Sequence, residues 1–157
     1  MKPSLKSTSE ADNSNCILLS FNSMWKSGIV DRSVSAFIRK RIPKSQLPDS
    51  IYCYFGSPEC SVAARVRIDE LRELSVGDVL KKQTQLKLSE SEIFKYLGES
   101  DTVGFCEFSH HEIASSSVSL STLRGAFKFF PPQSFLNLSI AGKDFIDENA
   151  NFQLLRS

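Results

Sequence analysis

Residues 51–55, IYCYF, form the stretch that decides the fold. β-Branched and aromatic residues of this kind are typical of a strand, and Gly56, Ser57 and Pro58 break the run at its end. A second apolar run, CILLSF at residues 16–21, predicts another buried strand. The chain between and beyond these two runs supplies the other elements.

The remaining strands are predicted from alternation and from apolar content. Residues 61–68, SVAARVRI, place Val62, Ala64, Val66 and Ile68 on one face and two arginines on the other, as in a half-buried strand. Residues 102–110 return to strand, with a second strand or a bulged continuation at 112–119. Further strands are predicted at 33–38 and 126–130, and one or two edge strands at 140–155.

Helices are predicted in the connections, at residues 24–30, 76–83, 90–97 and 132–138, with a short turn or helix at 121–125. The helix at 90–97 has the clearest signal, because Ser89 and Glu92 form a capping box and Gly98 suits the C-terminal cap. A Pro-Pro pair opens the helix at 132–138, since proline is tolerated in a first helical turn.

Short strands with helices in some of the connections indicate the α+β class. The crossovers are not regularly helical, which argues against a doubly wound parallel sheet. We therefore expect a small mixed β-barrel flanked by short helices. Residues 1–15, rich in Ser, Asn and charge, are predicted to be a disordered tail, and residues 16–157 a single domain.

Composition excludes several classes of protein. A hydrophobic fraction of 41% with 12 Phe supports a real core, and a net charge of +1 argues against a generally basic nucleic-acid coat. No apolar run is long enough to span a membrane, and the amino-terminal residues have no apolar signal-peptide core. The four cysteines form no Cys-x-x-Cys pair, so we expect reduced thiols in a cytoplasmic protein.

Positive charge is concentrated in residues 24–44. Its basic side chains are Lys26, Arg32, Arg39, Lys40, Arg41 and Lys44, and its only acid is Asp31. Arg39 and Arg41 are predicted on one face of a strand end and Lys40 on the other. The block predicts contacts with phosphate groups, since an arginine fork binds phosphate oxygens bidentately. The alternative is a solvated strand end paired with nearby acids.

Several segments occur in the order and spacing of a known family. They are Leu18-Leu19-Ser20-Phe21, Arg39-Lys40-Arg41-Ile42-Pro43-Lys44, Ile51-Tyr52-Cys53-Tyr54 before Ser57-Pro58, Ser91-Glu92-Ile93-Phe94, and Pro131-Pro132-Gln133-Ser134-Phe135. Over about residues 17–138 the chain resembles the ASCH group of the PUA-like superfamily. The resemblance implies a PUA-like fold and a ligand cleft that takes RNA or a nucleotide.

The chain departs from the family at its motif, Gly-x-Lys-x-x-Glu-x-Arg. Without gaps, the motif falls on residues 32–39, where Arg32 replaces Gly, Val34 replaces Lys and Phe37 replaces Glu. Only Arg39 is retained. Some ASCH-type proteins are hydrolases or nucleases, and the motif Lys and Glu belong to their pocket. The departure therefore argues against the same chemistry, and no catalytic residue is assigned.

Other residues have both a binding and a structural interpretation. Trp25 could stack on a base or anchor the core. Ser57, with Pro58, resembles the rim of the family's pocket, although it also suits a strand-ending turn. Ser20 begins one side of the expected cleft, Ser20–Trp25, opposite Arg39–Arg41. Gln133 follows the Pro-Pro pair, at the amino end of the helix predicted at 132–138. His110 and His111 point opposite ways on a strand, so no metal site and no cofactor is predicted.

Three functions compete. The first is a non-catalytic PUA-like module that binds RNA or a nucleotide through a basic cleft. The second is a nuclease or amidohydrolase that acts on RNA or a modified nucleoside, with Lys26 or Lys40 in place of the motif lysine. The third is a protein-interaction domain, which the near-neutral net charge allows. The oligomeric state is not predicted.

Overall fold

The computed structural model describes residues 13–40, 48–132 and 135–154. Within these ranges the strands are β1 (Asn13–Phe21), β2 (Ala36–Arg39), β3 (Ser50–Phe55), β4 (Ser61–Ser75), β5 (Thr102–Ser119), β6 (Leu136–Ser139) and β7 (Phe152–Leu154). The helices are α1 (Trp25–Val30), α2 (Val76–Leu80), α3 (Gln83–Leu86), α4 (Glu90–Leu97), α5 (Leu120–Ala126) and α6 (Ile140–Ala150). The predicted α+β class is confirmed.

One mixed sheet contains all seven described strands. Its order is β2-β5-β4-β3-β1-β6, with β7 paired to β5 outside this path. β1 and β3 run parallel, and the other neighbours are antiparallel. Among the described residues no pairing joins the two ends of the path, so closure into a barrel stays a prediction.

The two apolar runs become the parallel strands β1 and β3, which are buried on both faces. Along β1, Ile17, Leu19 and Phe21 enter one core cluster, while Cys16 and Leu18 enter another. β3 divides in the same way, with Tyr52 and Tyr54 on the second face. Because both faces are covered, these strands read as continuous apolar runs instead of alternating ones.

The sheet curls around the first of these clusters, which we call the interior core. Strands β1 to β5 all contribute to it. The rings of Phe21 on β1 and Phe37 on β2 meet edge to face, 5.4 Å between centroids. Three strands lie between β1 and β2 in the sheet order. The contact therefore requires strong curvature and brings the carboxyl ends of β1 and β2 together.

The helices cover the outer face in two groups. Helices α2 to α4 bury Val79, Leu86 and Ile93 against Ile38 and Phe105. Helices α5 and α6 cover the Tyr52 side of the sheet. The predicted capping box of α4 is confirmed, since Ser89 and Glu92 make both reciprocal hydrogen bonds. The predicted helix at 76–83 is instead divided into α2 and α3.

Polar contacts also attach α6 to the sheet. The Asp147 carboxylate accepts hydrogen bonds from the Tyr52 hydroxyl at 2.6 Å and from Arg65 Nη1 at 2.8 Å. Arg65 also pairs with Glu112 on β5. Burial raises the pKa of Tyr52, and the hydrogen bond to Asp147 raises it further. The phenol therefore stays protonated and can keep donating to Asp147.

The carboxyl-terminal third corrects three predictions. Residues 136–138, predicted as helix, form β6 and pair with β1. Residues 140–150, predicted as edge strand, form α6, because Ser139 caps the helix and Ile146 and Ala150 lie one turn apart on its buried face. Residues 127–130 after α5 form no strand, although the buried Phe129 explains their apolar composition.

The amino-terminal boundary also differs from the prediction. β1 begins at Asn13, three residues before the predicted start of the domain, and the register pairs Asn13 with Ser139. Residues 1–12 of the predicted tail lie outside the described ranges. All four cysteines are free thiols, as expected. Among the described helices, none has the length and apolar content needed to span a membrane.

Close packing of α1 against the following loop gives a stability prediction. A Cβ added at Gly28 would lie 2.5 Å from Val34 Cγ2. Gly28→Ala should therefore lower the free energy of unfolding by about 1–3 kcal/mol, as over-packing of a core does. Urea denaturation measures the change. Gly125→Ala is the matched control, because a Cβ there meets nothing within 4 Å and alanine favours the helix.

The double variant Gly28→Ala/Val34→Ala tests the cause of the loss. If the clash is responsible, the two losses should not add, since the second change removes the methyl group that is struck. Full additivity, or an equal loss for Gly125→Ala, would contradict this packing account.

Candidate nucleic-acid interface

Arg39 ends β2 and projects into the gap between β2 and β1. Its Nη2 donates a hydrogen bond to the Ser20 carbonyl at 2.7 Å. Its guanidinium carbon lies 4.8 Å from the Phe21 ring centroid and 5.5 Å from that of Phe37. The aromatic rings and the carbonyl hold the cation in one orientation.

The guanidinium is half-buried and has no ion pair with any carboxylate of the described residues. Burial lowers the pKa of Arg39, and Tyr96 and Cys53 oppose this change. Arginine nevertheless stays charged at any physiological pH. The site therefore contains a permanent, partly desolvated cation, an arrangement that favours an anion as partner.

Ser20 contributes its backbone to this arrangement. Among the described residues, β6 pairs with β1 only as far as Leu18, and the Ser20 carbonyl accepts from Arg39. The Ser20 hydroxyl is buried and has no hydrogen-bond partner among the described residues. Strand alternation directs it away from the face that carries Leu19 and Phe21.

Lys40 lies next to Arg39 but on the side of helix α4. Its ammonium is 5.5 Å from the Tyr96 ring centroid, and its backbone N–H donates to the Tyr96 hydroxyl at 3.2 Å. Lys40 is exposed, whereas Arg39 faces the interior core. The two side chains thus point to opposite sides, as strand alternation predicts. Tyr96 interacts with both residues, because it contacts Lys40 and also acts on the pKa of Arg39.

Two other motif positions, Val34 and Phe37, belong to the interior core. Val34 is 3% exposed and Phe37 4% exposed, so both side chains are buried. Phe37 packs between Phe21 and Phe108, with centroids 5.4 Å and 5.9 Å away. The family motif has a lysine and a glutamate at these two positions. In this chain the same positions hold buried apolar side chains.

A cavity of about 260 Å³ lies between α1 and the α3–α4 connection. Its apolar walls include Trp25, Val34 and Leu86, and its polar groups include Lys87 and Glu92. The Trp25 ring is half-buried, 6.5 Å from the Phe21 centroid. Phe21 thus lies beside both the cavity wall and the Arg39 cation.

Three further predicted residues lie elsewhere. Lys26 forms an ion pair with Glu59 at 2.9 Å, so its charge is already compensated. Ser57 is exposed in the turn after β3. Arg32 is exposed, with a left-handed φ of 64°. The described contacts link none of these three to Arg39.

Three more predicted residues, Arg41, Lys44 and Gln133, lie outside the described ranges. Arg41 follows Lys40 directly in the chain. Their binding roles stay predictions.

The two histidines occupy different environments. His111 is 6% exposed, and its Nε2 lies 3.1 Å from the Val34 carbonyl, so this nitrogen carries the donated hydrogen. His110 is exposed, with a φ of 51°. Among the described residues, no group of three or more His, Cys, Asp and Glu side chains could hold a metal ion.

The sequence interpretation did not identify two residues of helix α4 that belong to the site, Glu92 and Tyr96. The capping box accounts for Glu92 in the sequence, and Tyr96 is assigned no role there. Their spacing of four residues on α4 places both on the same side of that helix, which is the signal that could have found them. Glu92 borders the cavity, and Tyr96 contacts Lys40.

Solved structures share this fold. The ASCH protein from Zymomonas mobilis superposes with a TM-score of 0.80 at 20% identity, over 85% of this chain and 94% of that chain. A serine-to-alanine mutant of it gives 0.78 at 19% identity, with the same coverage. The N-terminal domain of Staphylothermus marinus McrB gives 0.61 at 11% identity, over 94% and 98%. No family model and no curated protein matches the chain.

At these identities the likeness establishes the fold. The chain has an ASCH-like fold, as the resemblance of its segments predicted. The ligand and the cleft have to be argued from this chain's own residues.

His111 gives a prediction for the pH dependence of stability. Burial lowers the pKa of His111, and the charge of Arg32 lowers it too, against the opposing hydrogen bond to Val34. The unfolded chain binds this proton more readily, so the contribution of His111 is complete above a pH of about 6.5 and is lost as the pH falls. His111→Gln should flatten the fall in unfolding free energy between neutral and mildly acidic pH.

Urea denaturation of the wild type and of His111→Gln over that pH range is the measurement. The difference between the two curves isolates His111 from the carboxylates that titrate below it. Parallel curves would show that His111 has no such role.

Proposed function

We propose that this protein is a non-catalytic, nucleic-acid-binding module of the PUA-like type that takes phosphate groups of single-stranded RNA at Arg39. One observation carries the proposal. The Arg39 guanidinium is oriented by Ser20 and by two aromatic rings, and it has no carboxylate partner among the described residues. A phosphate oxygen pair would use its remaining N–H donors.

Phosphate suits the site better than a carboxylate of another protein for a reason of charge. The basic block continues from Arg39 into Lys40 and, along the chain, into Arg41 and Lys44, without an intervening acid. Consecutive cations match the repeated charges of a nucleic-acid backbone. Single strands fit a gap between a strand end and a helix better than a rigid duplex does.

The absence of catalysis is part of the proposal. Val34 and Phe37 fill the motif positions and are buried. Neither side chain can transfer a proton or activate a nucleophile. Multiple-turnover release of product from RNA or an N-acyl cytidine, abolished by changing a residue of this site, would favour the enzyme alternative instead.

Arg39→Ala should weaken RNA binding and reduce its salt dependence. The slope of log K against log salt should fall by roughly 0.7 for every phosphate of a single strand that the variant no longer neutralises. The measurement is fluorescence anisotropy of a labelled single-stranded RNA at several salt concentrations. Circular dichroism checks that the variant is folded.

Arg67→Ala is the matched control. Arg67 is exposed on β4, has no ion pair among the described residues, and points away from the interior core because Val66 and Ile68 enter it. This variant removes the same charge at another place and should change affinity and slope little. Arg39→Lys keeps the charge but not the fork, so its affinity should fall between wild type and Arg39→Ala. Equal effects of Arg39→Ala and Arg67→Ala, or no binding by wild type at low salt, would contradict the proposal.

A further inference from the structure

We infer that the cavity beside Trp25 holds one nucleobase of the bound strand, stacked on the indole, with an amino group of the base donating to Glu92. This inference rests on the proposed function and names what that function recognises besides phosphate. Stacking on aromatic side chains and hydrogen bonding to base edges are the usual means of reading unpaired RNA.

The size and the walls of the cavity fit a single ring system. Its volume of about 260 Å³ lies just below the ~300–1,000 Å³ of sites for drug-sized ligands. Trp25, Val34 and Leu86 give it apolar faces. Trp25 is half-buried, so part of its side chain remains open to a ligand.

The charges of the cavity favour a base over a phosphate. The Glu92 carboxylate accepts the Ser89 N–H through Oε1 at 3.0 Å. The hydrogen bonds from Ser89 hold the pKa of Glu92 below its usual range, so the carboxylate stays ionised. Lys87 Nζ donates to Ser33 Oγ at 3.1 Å and keeps its positive charge, so the charges of Lys87 and Glu92 offset each other in the cavity wall. Such a lining favours a neutral base over a phosphate, and the Glu92 carboxylate can accept from an amino group of the base, as acidic side chains do from cytosine.

The cavity lies close to the Arg39 cation. Phe21 contacts Trp25 on one side and the Arg39 cation on the other. Helix α4 runs along the same site, with Glu92 at the cavity and Tyr96 beside Lys40. A strand with a phosphate at Arg39 therefore has the cavity within reach of an adjacent base. Adenine and cytosine carry an amino group, whereas the only donor of uracil lies between two carbonyl oxygens.

Trp25 is the only tryptophan, so its fluorescence reports directly on the cavity. The full chain is titrated with single-stranded oligoadenosine, oligocytidine, oligouridine and an abasic oligonucleotide of equal length. Anisotropy of labelled copies measures affinity in parallel. We expect saturable quenching with the adenosine and cytidine strands, weaker binding of the uridine strand by about fivefold or more, and no quenching by the abasic strand.

Variants separate stacking from folding. Trp25→Ala should weaken binding of the adenosine strand by roughly fivefold or more, while Trp25→Phe, which keeps a ring in the core, should retain most of the affinity. Glu92→Gln preserves the capping box and replaces one acceptor oxygen by an amino group. It should therefore reduce the preference for adenosine and cytidine over uridine.

The experiments distinguish failure of the base site from failure of the phosphate site at Arg39. If wild type binds RNA and Arg39→Ala weakens it, but fluorescence is unchanged and the abasic strand binds equally well, the base site is wrong and the phosphate site stands. If no strand binds at low salt, both fall. Equal binding of all bases with normal quenching would refute the role of Glu92 and with it the inference as stated.

Discussion

The hydrogen bond from Arg39 to the Ser20 carbonyl joins two strands that the sheet does not pair. β2 and β1 are separated by three strands in the sheet order, and curvature brings their carboxyl ends together. Phe21 and Phe37 fill the space behind this bond. The site depends on the contact, because it determines both where the cation lies and which of its donors stay free.

Arg39 bonds to the backbone and also keeps donors for a ligand, and these two roles explain why an arginine suits the position. A guanidinium has five N–H donors in a plane, so one can serve the backbone while others face a ligand. Its planar surface also rests on aromatic rings at little cost. A lysine would supply the charge without the planar set of donors. A carboxylate partner nearby would neutralise the charge of either residue. The buried polar groups around Asp147, by contrast, bind one another and serve to attach α6.

Local patterns predicted the amino-terminal two thirds of the fold well. The double-sided burial of β1 and β3, the capping box of α4 and the alternation of β4 are each determined by neighbouring residues. Apart from the divided helix at 76–83 and the earlier start of β1, the failures lie in residues 126–155, where tertiary contacts override local preference. The Pro-Pro pair predicted a helix for residues that pair with β1 as β6, and α6 begins with Ile140-Ala141-Gly142, which has no strong helical signal of its own.

The candidate site could be predicted only in part for the same reason. Arg39 and Trp25 stood out by residue type, and the family pattern identified the strand that carries Arg39. The neighbourhood of Phe21, Tyr96 and Glu92 depends on how the sheet curls and where α4 packs, which sequence spacing does not determine. Lys26 is the opposite case, a residue that the sequence assigned to the site and the structure does not. Its charge suggested a ligand contact, but it pairs with Glu59.

The central claim is that the oriented guanidinium of Arg39 is the anion-binding group. Nitrogen-15 NMR of the arginine Nε–H groups during titration with single-stranded RNA tests it most directly. The account predicts a saturable shift of the Arg39 signal, assigned through its loss in Arg39→Lys, with the Arg67 signal unchanged. RNA binding that leaves the Arg39 signal where it was would contradict the account.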